Sequence, residues 1–508
     1  MRYTLLNRRP AIDLRALTVF ILAAALLFGT VSLRGAEYDE QYTSLLVAGT
    51  PRPIWPETVV TAGSVRQIQA GQSNAAQLIG DLRRTDVHPP LYFLAALSWH
   101  DLLGPGLIRL RLLSVVFGLG ALAMIGWIAG MAQISPAWAM AFTLGCYGFA
   151  YTAGIARGFA LAQFLSLLGV ALVLQAERRR TPALALAAGL ALGAATFANY
   201  LAVFAAAAAL LWLLLAKPRL PKLWLVAGFG FAAFLPADLY FFLAQRGTRG
   251  GQFPPFDLLQ SLTLLARFGA GAVFGGLPLY VDGTARLIVS GAIGGLLAAL
   301  SAVIVWRWRH LTDLRRLLAM VAVAPPLGLI LLGLVFDNTP IELRYLAFAT
   351  PFAALLLAGS LATLPRRTAM IIGGLVLAVQ ASSLVGLYTR AETMQPARAT
   401  ANAAASLAWP NGVVLLARGN DGVGIVSAFA SEAPDWLPML VIGRNEAASQ
   451  IRIRAGAYRR VVLALLAQDN DSRATVIAMQ AAFAHQPCWR FAASGFNVLV
   501  YDRICGED

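Results

Sequence analysis

The chain alternates long apolar segments with short polar ones over its first 388 residues, and the pattern changes after that point. The first apolar segment, residues 16–33, is about 18 residues long, enough to cross a membrane as an α-helix. It follows the basic sequence NRRPAIDLR, and no small-residue cleavage site precedes the acidic sequence AEYDE, so we predict a retained helix. Later apolar segments lie at 183–198, 200–216, 223–243, 286–306, 317–335, 345–363 and 368–388.

The region between His88 and Glu177 is less regular. It has four candidate helices, and if all four crossed the membrane, the basic sequence ERRR would lie on the outer side. We therefore expect one of the four not to cross. Segment 89–103 is the first candidate, since its 15 residues span only about 22 Å of a roughly 30 Å hydrocarbon core. Residues 257–283 are expected to form a re-entrant or surface helix, which leaves about 11 spanning helices. The other three candidates are 112–131, 136–153 and 158–176.

Charge gives this pattern an orientation. The chain has 40 basic and 25 acidic residues, a formal charge of +15, and short loops rich in Lys and Arg are typical of the cytoplasmic side. Because the basic residues sit in such loops, the charge does not indicate a nucleic-acid partner. Placing these loops inside gives a consistent alternation and puts every long polar segment outside. The basic loops are 177–180, 217–222, 307–316 and 364–367, and the outer segments are 34–88, 244–285, 336–344 and everything after 389.

Composition supports a membrane protein with one soluble part. Apolar residues make up 58% of the chain and charged residues 13%, and the mean hydropathy is +0.68, all outside the usual soluble range. We predict an α-helical polytopic membrane domain over residues 1–388 and a small extracytoplasmic α/β domain over 389–508. The expected strands of that second domain are VVLLA (413–417), MLVIG (439–443), VVLALLA (461–467) and FNVLVYD (496–502).

Two further features of the second domain restrict its chemistry. The glycine-rich sequence RGNDGVG (418–424) follows a strand but lacks the dinucleotide-binding spacing, so we expect a loop without a cofactor. Cys488 and Cys505 could form a disulfide only if their strands are adjacent.

Acidic residues lie at the outer membrane edge in two places. Asp39 and Glu40 follow the first apolar segment, and Asp86 and His88 precede the next one. A carboxylate at such an edge can act as a general base towards a hydroxyl group, although such groups are also common as solvated surface charge. Because one external loop, 34–88, joins both patches, we predict that Asp39 and Asp86 border one cleft.

Five short sequences in order resemble the successive motifs of the GT-C glycosyltransferases, in particular the branch with protein O-mannosyltransferases and bacterial lipid A aminoarabinose transferases. The resemblance covers roughly residues 1–390. The sequences are DEQY after the first helix, HPPLYF opening the next segment, RLRLLSVVFG (109–118), ARGFAL (156–161) and ELRYLAFATPF (342–352).

The resemblance implies a GT-C-like fold and a transferase that takes a sugar from a polyprenyl-phosphate carrier on the extracytoplasmic side. The family's proposed first-loop base matches Asp39, and Glu40 follows in the same motif. Some relatives carry Lys at the position of His88, so its exact role stays open. Some GT-C relatives use a divalent ion and others do not. The four His residues of this chain are scattered, so we predict no metal site and no cofactor.

Arginines at the outer helix edges are candidates for the donor phosphate. Breaking a sugar–phosphate bond releases an anionic lipid phosphate, so cations are needed where that charge develops, and Arg offers a fixed bidentate fork. We predict Arg111, Arg157 and Arg344 here, with Tyr345 beside the last, and interfacial anchoring is the alternative for each. The full predicted site is Asp39, Glu40 and Asp86 as catalytic residues, and His88, Arg111, Arg157, Arg344 and Tyr345 as substrate-binding residues.

The sequence thus predicts a multi-pass glycosyltransferase of the bacterial inner membrane. It would move a monosaccharide from an undecaprenyl-type phosphate to an envelope glycan, lipid A or protein acceptor at the periplasmic face. The alternative is a transporter or translocase of a lipid-linked sugar, which would place ionisable residues near the bilayer midplane and show repeated halves. The acids collect at one face and no internal repeat is evident, which favours the enzyme.

Overall fold

The computed structural model describes residues 13–215, 221–246, 253–276, 281, 283–306, 312–389, 396–419 and 422–505. Parts of several predicted segments lie outside these described residues: the apolar segment 200–216, the basic loops 217–222 and 307–316, the outer segment 244–285 with the expected re-entrant helix 257–283, and the C-terminal domain 389–508 with its glycine-rich sequence 418–424.

Helices dominate the first 389 residues, as the runs of apolar side chains predicted. Most helices end at Gly, at Pro or at a polar loop, where the apolar pattern also ends. The helices are α1 (Leu14–Leu33), α2 (Tyr38–Val47), α3 (Ala62–Gln69), α4 (Ala75–Thr85), α5 (Leu91–Leu103), α6 (Leu107–Met131), α7 (Pro136–Gly145), α8 (Tyr147–Ala153), α9 (Phe159–Arg179), α10 (Pro182–Ala198), α11 (Ala202–Leu215), α12 (Pro221–Ala232), α13 (Leu235–Ala244), α14 (Leu258–Phe274), α15 (Gly283–Trp306), α16 (Asp313–Phe336), α17 (Thr350–Leu361) and α18 (Arg366–Thr389), with a 3₁₀ turn at Leu343–Phe348.

Six helical stretches in the described part of the chain are long and apolar enough to cross a membrane. Six more apolar helices of 10 to 17 residues accompany them. The prediction of a helical, multi-pass membrane protein is therefore confirmed, while the count of about 11 spans stays a prediction. The six long stretches are Leu14–Leu33, Leu107–Met131, Phe159–Arg179, Pro221–Ala244, Asp313–Phe336 and Arg366–Leu387.

The two ends of the helical bundle differ in charge. Helices α6 and α9 pack side by side, and at 1.5 Å per residue they are about 37 and 31 Å long. At one end, Arg111 of α6 contacts Glu40 of the 34–88 loop. At the other end, Arg178 of α9 donates a hydrogen bond to the carbonyl oxygen of Met131 (2.7 Å). The acid-rich loop and the basic loop 177–180 thus lie at opposite ends of the bundle.

Helix α5 has both of its ends at the acid-rich end. It starts directly after Pro90, and Asp101 near its other end accepts a hydrogen bond from Gln72 of the 34–88 loop (2.9 Å). Trp99 also donates to the carbonyl oxygen of Arg109, at the beginning of α6 (2.8 Å). Segment 89–103 therefore does not cross the bundle, in agreement with the sequence-based expectation.

The C-terminal residues build a sheet with helices on both faces. Strand β2 is parallel to β3 and β4, the remaining pairs are antiparallel, and the order is β1-β3-β2-β4-β6-β5. The expected α/β fold is confirmed, but two of the six strands were not predicted: Trp489–Gly495 (β5), and edge strand β1, which comes from the 34–88 loop and pairs with β3. The strands are β1 (Val60–Thr61), β2 (Gly412–Ala417), β3 (Pro438–Ile442), β4 (Arg460–Ala464), β5 (Trp489–Gly495) and β6 (Val498–Arg503), and the helices are α19 (Ala397–Ala408), α20 (Gly424–Glu432), α21 (Ala448–Ala455) and α22 (Asn470–Phe483).

A disulfide closes the outer hairpin of this sheet. Cys488 and Cys505 flank the antiparallel strands β5 and β6, with their Cα atoms 4.9 Å apart. The condition set by the sequence, that the two flanking strands be neighbours, is met.

Candidate active site

Helix α2 presents the first acidic patch. Only four residues separate it from the end of α1, and its start is fixed by buried polar contacts. Glu37 pairs with Arg34 and accepts a hydrogen bond from the Tyr151 hydroxyl (2.6 Å). The side chain of Glu40 accepts from the backbone N–H of Glu37 (3.2 Å), which satisfies one of the free N–H groups of the first turn. Buried polar contacts therefore hold the start of α2, which carries Asp39 and Glu40.

Asp39 faces an arginine and remains partly accessible. Its carboxylate forms an ion pair with the guanidinium of Arg344, and both side chains are 19% exposed. Glu342 lies beside the same guanidinium, with Oε2 2.5 Å from Nε. The Arg344 guanidinium also lies 5.5 Å from the ring centroid of Tyr345, which is itself buried. Three of the predicted site residues, Asp39, Arg344 and Tyr345, are thus brought together.

Glu40 and Arg111 form a separate, fully buried pair. Arg111 donates to both carboxylate oxygens of Glu40 (2.8 and 2.6 Å) and to the carbonyl oxygens of Val31, Arg34 and Gly35. Glu40, which is 0% exposed, also accepts from the backbone N–H of Ala156 (2.9 Å).

This arrangement changes the interpretation of both residues. All five N–H groups of the Arg111 guanidinium are engaged inside the protein, which leaves none for a substrate phosphate. Burial would raise the pKa of the Glu40 carboxyl, but the guanidinium of Arg111 outweighs it and holds this pKa below its usual range. The structure therefore favours a structural role for both residues, which hold the end of α1 and the start of α2 together. Substrate binding was expected for Arg111 and catalysis for Glu40.

The second patch brings Asp86, His88 and Arg157 together. Asp86 Oδ1 lies 2.7 Å from Nδ1 of His88, and Asp86 Oδ2 lies 3.4 Å from Nη1 of Arg157. Nη2 of Arg157 is also 3.0 Å from Nδ1 of His88. A protonated Nδ1 would donate a hydrogen bond to the Asp86 carboxylate, whereas an unprotonated Nδ1 would accept one from the Arg157 guanidinium. Burial opposes the charge of Asp86, yet Arg157 and then His88 hold the pKa of its carboxyl well below the usual range.

The aromatic ring of Tyr42 connects the two patches. Tyr42 lies three residues after Asp39 and therefore on the same face of α2. The guanidinium of Arg157 lies 5.6 Å from its ring centroid, and that of Arg52 lies 5.4 Å from it. Because Arg157 pairs with Asp86, both acidic patches lie around one turn of α2. Asp39 belongs to one of these patches and Asp86 to the other, and that they border one cleft stays a prediction.

Three contributors to this region were not among the predicted site residues, although Tyr42 is the last residue of the DEQY sequence. Arg52 contacts the carbonyl oxygen of Thr85 as well as the Tyr42 ring, and Tyr42 could have been found from its helical spacing to Asp39. Gln245, after α13, donates to the carbonyl oxygens of Leu82 and His88 (3.1 and 3.0 Å) and so holds the segment that carries Asp86. No local signal marks Gln245, because its partners are more than 150 residues away in the chain.

The charged side chains around α2 include several guanidinium groups. In the part of the chain that the structure describes, no group of three or more His, Cys, Asp or Glu side chains is arranged to hold a metal. The guanidinium groups of Arg52, Arg157 and Arg344 instead lie beside Asp39 and Tyr42, the two partly exposed residues of α2. That the protein needs no metal or cofactor stays a prediction.

The overall fold matches solved structures. ArnT from Cupriavidus metallidurans in the apo state is similar over 97% of this chain and 98% of that chain, with a TM-score of 0.54 and 14% identity. The same protein bound to undecaprenyl phosphate gives the same coverage, a TM-score of 0.52 and 13% identity. The S. cerevisiae protein O-mannosyltransferase Pmt1-Pmt2 complex bound to the sugar donor matches 46% of this chain and 33% of that chain at 14% identity, and its TM-score of 0.32 is too low to argue from.

Sequence comparison adds nothing to this. No protein-family model and no curated protein matches the chain. At 13 to 14% identity, the likeness over nearly the whole length of both chains establishes the fold. The chain therefore has the fold of ArnT.

Proposed function

We propose that this protein is a membrane glycosyltransferase that transfers a monosaccharide from a polyprenyl-phosphate donor to an acceptor hydroxyl. The acceptor would be an envelope glycan, lipid A or a protein at the periplasmic face of the inner membrane. Two findings support this: the fold is shared end to end with ArnT, whose structure has been solved with undecaprenyl phosphate, and a carboxylate–arginine cluster occupies one end of the bundle.

The accessibility of Asp39 carries the proposal. Among the three predicted catalytic acids, Asp39 is 19% exposed, whereas Glu40 is 0% and Asp86 3% exposed. A general base must come within hydrogen-bond reach of the hydroxyl proton that it removes. Asp39 meets this requirement with the least rearrangement, so we assign it the base role. Glu40 and Asp86 are assigned to holding α2 and Arg157 in place.

The proposed transfer is one displacement at the anomeric carbon of the donor sugar. The acceptor hydroxyl gives its proton to the carboxylate of Asp39 while its oxygen bonds to that carbon. The bond from the carbon to the phosphate oxygen breaks, and the electron pair leaves with the polyprenyl phosphate. Arg344 and Arg157, with Arg52 nearby, would stabilise the charge that develops on this leaving group, as fixed donors aimed at developing charge do in other enzymes.

The test is sugar transfer in membranes supplied with a set of undecaprenyl-phosphate sugars. Asp39→Asn should lower transfer from the active donor by at least about a hundredfold, the scale of losing a general base. Asp101→Asn is the matched control, because Asp101 is a half-exposed carboxylate at the same end of the bundle. Transfer equal in Asp39→Asn and Asp101→Asn would remove Asp39 from the mechanism.

A translocase of lipid-linked sugars is a second candidate, favoured by one observation. Asp238 lies within the apolar stretch Pro221–Ala244 and is buried, with Oδ2 accepting from the Thr196 hydroxyl (2.6 Å). Ionisable groups inside spans often mark transport pathways. Movement of a fluorescent lipid-linked sugar across vesicles, with no transfer to any acceptor, would support this candidate over the enzyme.

A further inference from the structure

The C-terminal domain forms hydrogen bonds with the junction between α1 and α2 (residues 33–37), just before the proposed base Asp39. Arg398 of α19 donates through Nε to Glu432 at the end of α20 (2.7 Å). The same guanidinium donates to the carbonyl oxygens of Leu33 and Arg34 (2.8 and 2.9 Å). Glu432 accepts in turn from the backbone N–H of Ala36 (2.6 Å). The Arg398–Glu432 ion pair of the C-terminal domain is thus hydrogen-bonded to both carbonyl and N–H groups of the junction.

The junction is held from two sides. The carbonyl oxygen of Arg34 accepts from Arg111 of the helical bundle and from Arg398 of the C-terminal domain, each at 2.9 Å. Carbonyl groups at the end of a helix have no partner within the helix, and a cation is favourable there. The two arginines therefore end α1 and fix the direction in which the chain enters α2.

Close packing at the start of α20 adds to these hydrogen bonds. A Cβ atom at Gly424 would lie 2.8 Å from Cβ of Tyr38, the first residue of α2. Such close approach leaves little room for α2 to shift towards the C-terminal domain. Asp39 follows Tyr38 directly, so a displacement of this domain would carry over to the carboxylate.

We propose that Glu432 and Arg398 are positioning residues for sugar transfer: the C-terminal domain sets the location of Asp39 through the α1–α2 junction. The inference rests on the proposed role of Asp39. Neither residue touches the substrate in this scheme. Their effect is on the alignment of Asp39 with the acceptor hydroxyl, and misplacement by about 1 Å can cost on the order of a hundredfold in rate.

The test compares Glu432→Ala and Glu432→Gln with a control pair in the same domain. Glu432→Ala removes the acceptor for the Ala36 N–H, whereas the Gln amide oxygen retains it. Asp502→Asn is the control, because Asp502 forms a bidentate, partly buried pair with Arg460 on strands β6 and β4, away from the junction. All variants are assayed as full-length protein with the undecaprenyl-phosphate sugar that supports transfer by the unmodified protein.

We expect Glu432→Ala to lower kcat about 10- to 100-fold with the KM for the lipid donor changed less than about twofold, because the donor contacts are untouched. Glu432→Gln should recover most of the rate, and Asp502→Asn should leave kcat unchanged. An unchanged kcat in Glu432→Ala, or an equal loss in Asp502→Asn, would overturn the proposal.

A second measurement does not depend on activity. Hydrogen–deuterium exchange of peptides covering residues 34–47 should become faster in Glu432→Ala and stay unchanged in Asp502→Asn. Unaltered exchange in Glu432→Ala would refute the inference that Glu432 holds the α1–α2 junction in place. If the unmodified protein transfers no sugar from any donor, the proposed function fails, and the exchange result still decides whether the C-terminal domain holds α2.

Discussion

The buried pair of Glu40 and Arg111 offers a strong test of how the site is held. Arg111→Met removes two hydrogen bonds to the carboxylate of Glu40 and three to backbone carbonyl groups. Glu40 would keep the hydrogen bonds from the backbone N–H groups of Ala156 and Glu37, and the more distant charge of Arg34. Breaking one partner of a buried ion pair costs about 3–5 kcal/mol, because it leaves a charge buried without compensation.

The expected ranking follows from these contacts. Arg111→Met should lower the free energy of unfolding by at least about 4 kcal/mol. Glu40→Gln should cost less, about 2 kcal/mol, because the amide oxygen still accepts a hydrogen bond and Arg111 keeps its three carbonyl partners. The double variant should be more stable than the sum predicts by about 2 kcal/mol, the coupling of directly bonded groups.

Equilibrium unfolding by SDS in mixed micelles, followed by tryptophan fluorescence, measures these differences. Asp81→Asn is the control, because its partner Arg84 is largely exposed and such pairs contribute about 0–1 kcal/mol. A loss below about 1 kcal/mol for Arg111→Met, together with a raised KM for the lipid donor, would contradict the structural role and restore Arg111 as a phosphate ligand.

Two further predictions concern the second patch. Because Arg157 and His88 hold the pKa of Asp86 below its usual range, the ionised carboxylate should stabilise the fold above about pH 4 and lose this effect as the pH falls further. The difference in unfolding free energy between the unmodified protein and Asp86→Asn, measured from pH 3 to 7, should therefore shrink towards acid pH. A constant difference would contradict the pairing. Arg157→Lys should raise the KM for the lipid donor about tenfold, since Lys lacks the bidentate fork, and an unchanged KM in donor titrations would argue against phosphate binding.

Much of the fold could be predicted from the sequence, because long apolar segments must be buried or face lipid and strands with β-branched residues must pack in a sheet. The segment 136–153 shows the limit. It was expected to be one helix, but it breaks at Cys146 into α7 and α8. Gln380 of α18 donates to the carbonyl oxygens of Phe142 and Val273 near the break (3.2 and 2.9 Å). The break is thus supported by a residue more than 200 positions away, which no local pattern reveals.

The sequence indicated the region of the candidate site more readily than it indicated which residues pair there. Acids and arginines at the outer helix edges marked the region, and all eight predicted residues lie at that end of the bundle. Consecutive residues on a helix point about 100° apart, so Asp39 and Glu40 meet different arginines. Which acid faces Arg344 and which is buried with Arg111 depends on the rotation of α2, and tertiary packing sets that rotation.

Sugar transfer with Asp39 as the base can be measured with purified protein in proteoliposomes. The assay follows the release of undecaprenyl phosphate from an undecaprenyl-phosphate sugar and the matching gain of sugar on an acceptor. We expect equal amounts of both products from the unmodified protein and a loss of about a hundredfold with Asp39→Asn. Absence of both products with every donor tested, or undiminished products with Asp39→Asn, would contradict this expectation.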